Sequence, residues 1–219
     1  MSADTVVLLH GLGRSPLAMK GLERFLTRQG YHVINQGYSS RRGSIAELCR
    51  QLFHDLLPAL PPEGQIHFVT HSLGGILLRY GLQHWSIHQG RLGRAVMLAP
   101  PSQGSEVVDI LRHVPLLPRI MGPAFLQLGT DASSVPLQLL AREQGGLPIE
   151  VGVIAGRTSY EPWFSPLFGE DNDGKVSVSR SRHPGMKDFR ALEVGHTFIM
   201  NDKRVRQHIL HFLQFGRFK

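Results

Sequence analysis

The chain opens on an unbroken apolar run, Thr5-Val6-Val7-Leu8-Leu9, which stops at His10-Gly11-Leu12-Gly13. Such a run suits a strand covered on both faces, as in a parallel sheet. Ser15 and Pro16 suit the cap and first position of a helix; Leu22, Phe25 and Leu26 follow at helical spacing and Gly30 ends it. Residues 31–35 predict a second strand. Ser44-Ile45-Ala46-Glu47 reads as a capping box opening a helix with Ile45, Leu48, Cys49, Leu52, Phe53 and Leu56 on one side, ended by Pro58, Pro61 and Pro62. Residues 66–69 predict a third strand, followed at once by a helix from Leu73 to about Trp85. Residues 94–98, 149–155 and 191–194 predict three more strands. Val205, Ile209, Phe212 and Leu213 mark the apolar side of a closing helix over about 202–215.

Strands alternating with helices predict an α/β fold: about six mainly parallel strands with helices on both faces. The sequence has no repeat, low-complexity tract or dividing linker, so residues 1–219 read as a single domain. Two connections are long. Residues 102–148 hold apolar helical stretches around Val107, Leu111, Phe125 and Leu128, and 157–172 carry Tyr160, Trp163, Phe164 and Phe168. Long connections at strand C-termini build binding sites, so these two are expected to form a partial cap. Val107, Val108, Leu111, Leu116, Leu117, Phe125, Trp163 and Phe168 are its candidate apolar lining.

The connection after residues 66–69 carries the strongest chemical signal. Thr70-His71-Ser72-Leu73-Gly74 makes a sharp turn between strand and helix, the setting of a nucleophile elbow. Such a turn lifts the serine above the sheet and demands small neighbours. Gly74 and Gly75 meet that demand, whereas Thr70 stands where the usual pattern has glycine. A serine hydroxyl needs a base, an acid to orient the base, and donors for the oxyanion. Position selects the base among 12 histidines. His196 falls between the last strand and the last helix, where His183, His208 and His211 do not. Asp173, in Asp171-Asn172-Asp173-Gly174, is the chosen acid, with Asp171 and Glu170 as rivals. An EF-hand reading of that loop would put Gly169 and Arg180 at ligand positions, and neither supplies a carboxylate. The backbone N–H groups of Leu12 and Leu73 are the expected oxyanion donors, with His10 shaping the loop that carries Leu12.

VVLLHGLG, NQGYSSRRGSIAEL, HFVTHSLGGILLRY, VMLAPPSQGSEVVD, DNDGKVSV and VGHTF, in this order, span nearly the whole chain. Together they resemble the α/β-hydrolase superfamily, and within it small bacterial esterases and lipases of the acetyl-hydrolase/lipase group. The resemblance implies Ser72 as nucleophile, His196 as base, Asp173 as acid, Leu12 and Leu73 as oxyanion donors, and no organic cofactor or catalytic metal. Thr70 and the long stretch before Asp173 depart from the pattern. The expected function is a serine hydrolase cleaving short- to medium-chain carboxylic esters of a small-molecule or lipid-like substrate. Acyl transfer or thioester cleavage would use the same residues, and a non-catalytic binding protein would keep the scaffold but tend to lose a triad member.

Composition narrows the partners. Residues 180–219 hold nine Lys and Arg against three Asp and Glu, a net +6 of the formal +7. Without interleaved aromatics or a nucleic-acid motif this basic face does not predict nucleic-acid binding; weak contact with a membrane surface is compatible with it. No apolar stretch reaches transmembrane length, and the start of the chain does not read as a signal peptide. Cys49 is the one cysteine, so no internal disulfide forms and a cytoplasmic setting is expected.

Overall fold

The structure is a computed structural model and describes residues 4–85, 89–144, 146–160 and 168–219. In it β1 (Thr5–Leu9), β2 (His32–Gln36), β3 (Ile66–His71), β4 (Leu92–Leu98), β5 (Glu150–Gly156) and β6 (Asp188–Leu192) form one parallel sheet in the order β2-β1-β3-β4-β5-β6. The apolar runs divide by strand alternation. Val7, Phe68, Met97 and Val153 enter one buried cluster, while Val6, Val69, Val96 and Ile154 enter the other.

Helices cover both clusters. α1 (Lys20–Arg28) contributes Leu22 and Leu26 to the second, while α2 (Ile45–Leu56) and α3 (Leu73–His84) contribute Leu52, Phe53, Ile76 and Leu77 to the first. Between β4 and β5 run four short helices: α4 (Glu106–Leu111), α5 (Leu117–Met121), α6 (Pro123–Leu126) and α7 (Val135–Arg142). They extend the first cluster through Val108, Phe125 and Leu139. After β5 come α8 (Val178–Ser181) and, beyond β6, α9 (Lys203–Phe215), which closes the second cluster with Val205, Ile209 and Phe212. Among the described residues no helix is long and apolar enough to cross a membrane.

Local signals explain most boundaries. Ser44 accepts from the Glu47 N–H while Glu47 accepts from the Ser44 N–H, the capping box of α2. The chain enters α1 differently from the expected cap. The Ser15 hydroxyl makes no capping bond; its carbonyl accepts from Ala18 at 3.0 Å and closes a 3₁₀ turn, Pro16–Met19, ahead of the α-helix. β6 spans Asp188–Leu192, earlier than the 191–194 read from the sequence, and its backbone pairs with Gly152 to Gly156. It is an edge strand with partly exposed polar residues, so apolar runs mark only its end.

Arg79 is among the buried charged groups. Arg79 of α3 bonds to Glu143 at 2.7 Å and to the Ser102 and Pro136 carbonyls. Glu143 also accepts from His183 Nε2 at 2.9 Å, while His183 Nδ1 accepts from the Gly185 N–H at 3.0 Å. The network ties the helix after Ser72 to the segments after α7 and α8.

Candidate active site

Ser72 lies between β3 and α3 with φ 52° and ψ −119°, a left-handed backbone that non-glycine residues rarely adopt. Its N–H donates to the Leu98 carbonyl at 2.9 Å, fixing the turn to the neighbouring strand. A Cβ at Gly74 would lie 2.7 Å from the Leu9 carbonyl oxygen and 2.9 Å from that of His10, so only glycine lets α3 approach β1 this closely. Thr70 fits because its neighbour across the turn is Gly75: a Cβ there would sit 3.3 Å from Thr70 Oγ1. The missing first glycine is thus offset by the extra one after Gly74.

His196 follows β6 and begins a 3₁₀ segment. Its Nδ1 lies 2.8 Å from Asp173 Oδ2, and its N–H donates to the Asp173 carbonyl at 3.0 Å. Both side chains are buried. Asp173 Oδ1 accepts from the N–H groups of Lys175 at 3.0 Å and Val176 at 2.9 Å, which fixes the carboxylate's direction. The loop rivals lie elsewhere. Asp171 is exposed, 3.9 Å from Arg157, and Glu170 accepts from Ser179.

Ser72 and His196 both border a cavity of about 370 Å³. Its wall is mostly apolar, with Leu12, Val108, Leu111, Met121, Phe125 and Leu128 prominent. Of the lining expected from the sequence, Val107, Val108, Leu111 and Phe125 are there; Leu116 is exposed, half-buried Leu117 and buried Phe168 do not border this cavity, and Trp163 lies outside the described residues. The Leu73 N–H is the first of α3 and has no acceptor within the helix, and Leu12, on the loop after β1, borders the same cavity as Ser72. His10 is buried behind that loop, bonded through Nδ1 to the Gly11 carbonyl at 2.9 Å and stacked on Tyr38. Burial lowers its pKa.

The sequence did not single out His71, which also borders the cavity. Its Nε2 donates to the His196 carbonyl at 3.0 Å, and the two rings lie 4.9 Å apart. Its Nδ1 is buried without a partner among the described residues. Burial, and then the neighbouring His196, push its pKa well below the ordinary value, so it is neutral. Its place before Ser72 was the available signal, obscured by the abundance of histidine. Among the described residues no group of three or more His, Cys, Asp or Glu is arranged to hold a metal ion.

A six-stranded parallel sheet with a strained serine at the tip of β3 and a histidine–carboxylate pair beyond the later strands is the architecture of an α/β-hydrolase. The profile of the alpha/beta hydrolase family matches residues 6–203, and the chain belongs to that family. Solved structures with this fold include the mature lipase BlEst2 of Bacillus licheniformis, 17% identical with a TM-score of 0.67, covering 97% of this chain and 91% of that one. The metagenomic carboxyl esterase MGS0156 is 21% identical with a TM-score of 0.69, covering 90% of this chain and 65% of that one. Phospholipase PlaB from Legionella pneumophila is 14% identical with a TM-score of 0.72, covering 99% of this chain and 58% of that one. No curated protein matches the chain in sequence.

Proposed function

We propose that the protein is a serine hydrolase of carboxylic esters, with Ser72, His196 and Asp173 as its triad. The observation that carries this reading is the strained Ser72 sharing a cavity with His196, whose Nδ1 is bonded to buried Asp173. Asp173 holds the Nδ1 proton and leaves the Nε2 lone pair to act as base. As Ser72 Oγ attacks the ester carbonyl, His196 takes its proton. The carbonyl oxygen becomes an oxyanion stabilised by the N–H groups of Leu12 and Leu73, the latter at the positive end of α3. Collapse breaks the acyl–oxygen bond, and the alcohol leaves with the proton from His196. Water, deprotonated by the same histidine, then attacks the acyl-enzyme and releases the acid and Ser72.

The apolar cavity receives the acyl chain, and segment 102–148 supplies most of its apolar residues as a partial cap on a single domain. The lipase and esterase activities named for the similar structures support this class of substrate. Cys49 is buried, its thiol pushed up to about 12 by burial, which fits a chain working in the reducing cytoplasm. The test is fluorophosphonate labelling together with turnover of p-nitrophenyl octanoate. Ser72→Ala should stay folded, escape labelling and lose at least ~10³-fold in turnover. Retained labelling or near wild-type turnover would overturn the assignment.

A further inference from the structure

Two cavities meet at Arg14. One is the apolar cavity beside Ser72; the other is a groove of about 520 Å³ bordered by Gly13, Arg14, Ser15, Leu17, Arg41 and Phe198. The chain passes from one to the other through Thr197 and Phe198, the two residues after His196. Among the described residues the Lys, Arg, Asp and Glu side chains that border them are all basic. Arg14 and Lys175 border the first cavity, Arg14 and Arg41 the second, and among the described residues no Asp or Glu borders either. Neither Arg14 nor Arg41 has a carboxylate partner among the described residues, so both keep their N–H groups for an anion at the groove.

Both arginines stand on braced loops. The Gly13 N–H donates to Ser40 Oγ at 2.9 Å, joining the residue before Arg14 to the residue before Arg41. Gly122 packs on the Arg41 backbone, where a Cβ would come within 2.0 Å of the carbonyl oxygen, and the Ala124 N–H donates to the Gly43 carbonyl at 3.1 Å. The Arg14 guanidinium carbon lies 5.6 Å from the centre of the Phe198 ring. Packing on an aromatic ring limits the motion of the guanidinium and leaves N–H groups at its edge to donate.

The direction of proton transfer says which half of a substrate meets this groove. His196 protonates the leaving alcohol, so the alcohol half lies against the His196 loop, on the side of Thr197 and Phe198, while the acyl half fills the apolar cavity. We infer that the groove is the subsite for the alcohol half, and that this half carries an anionic group, a phosphate or a carboxylate, bound jointly by Arg14 and Arg41. The inference rests on the serine-hydrolase reading above and names its substrate class: amphiphilic esters, apolar in the acid and anionic in the alcohol.

The experiment compares the octanoyl esters of glycerol, glycerol 3-phosphate and glycerate, all below their aggregation limits. The wild-type kcat/KM for at least one anionic ester should exceed that for octanoylglycerol by roughly tenfold, the size expected of charge-assisted hydrogen bonds from two arginines. Which anion is preferred identifies the chemical source. In the double variant Arg14→Gln, Arg41→Gln the anionic-to-neutral ratio should fall toward one, and in wild type it should shrink as salt is raised. Equal kcat/KM for all three esters overturns the subsite and leaves the hydrolase reading standing. Calorimetric binding of the same esters to the Ser72→Ala protein separates the two claims. Tighter binding of an anionic ester there supports the subsite even if wild type hydrolyses none of the three, a result that would overturn the hydrolase reading alone. Equal binding overturns the subsite whatever the turnover.

Discussion

His71 and His196 lie 125 positions apart in the chain and are joined by a hydrogen bond of 3.0 Å from the ring Nε2 of the first to the backbone carbonyl of the second. A carbonyl only accepts, so Nε2 of His71 carries its proton, and the ring acts as a strut beneath the loop that presents His196. Replacing it with a ring that cannot donate leaves a buried carbonyl unsatisfied, at a cost of about 1–3 kcal/mol. His71→Phe should therefore lower the urea midpoint and reduce kcat for p-nitrophenyl octanoate more than it alters KM. His71→Gln, which restores an N–H donor, should recover part of both. A His71→Phe protein that is less stable yet keeps wild-type kcat would show that the strut holds the fold without positioning the base.

The same ring sets a pH dependence of stability. Burial holds the His71 pKa well below 6.5, and burial also lowers those of His10 and His67. These groups are neutral when folded, but in the unfolded chain they protonate near 6.5. Above that pH neither state gains a proton and their neutrality costs nothing. As pH falls below 6.5 toward the depressed folded values, the unfolded state binds more protons and stability drops. The urea midpoint should decline from pH 7 to pH 5, before the carboxylates titrate, and the slope should be shallower in His71→Gln. A midpoint flat across that window would contradict the burial of neutral histidines.

How much of this was legible in the sequence follows from the range of each interaction. The elbow was readable because the strained turn at Ser72 and the small residue it demands at Gly74 lie within a few positions of each other. The central strands were readable because both faces are buried, which gives long apolar runs. β6 was misjudged at its start because an edge strand buries only part of its surface and hides its pairing in the backbone. The strut from His71 to His196, the common groove bordered by Arg14 and Arg41, and the Arg79–Glu143–His183 network each bring distant segments together. No periodicity records them. Thr70 is intermediate: it stood out as a departure, but its compensation by Gly75 is visible only once strand and helix are in contact.

Asp173 and Asp171 offer a sharp comparison, because they share a loop and differ in surroundings. Asp173 is buried against His196 at 2.8 Å, while Asp171 is exposed and 3.9 Å from Arg157. Asp173→Asn keeps the shape but lets the amide donate to Nδ1, favouring the wrong tautomer of His196. Turnover should fall on the order of 10⁴-fold. Asp171→Asn should stay within about twofold, since a long, exposed ion pair contributes at most a few tenths of a kcal/mol. Steady-state kinetics of both variants decide the matter: a crippled Asp171→Asn beside an active Asp173→Asn would move the acid two positions along the chain.

The cavity predicts how the rate depends on the acyl chain. Its wall is built from Val107, Val108, Leu111, Met121, Phe125, Leu128 and Val176, and each methylene that enters it leaves water for an apolar surface. That transfer is worth about 0.8 kcal/mol, or about fourfold in kcat/KM, until the space is filled. The p-nitrophenyl esters should therefore improve from acetyl onward and then level off or fall. Leu111 is half-buried on this wall, so Leu111→Phe should fill space without disturbing the sheet and shift the optimum to a shorter chain. Ser72 is itself only partly buried, so the expectation is that substrate reaches it without a lid first having to open. Activity should accordingly rise smoothly through the solubility limit of each ester. A steady decline from acetyl would remove the acyl site from this cavity, and a steep rise only above the solubility limit would mean that segment 102–148 or 157–172 acts as a lid.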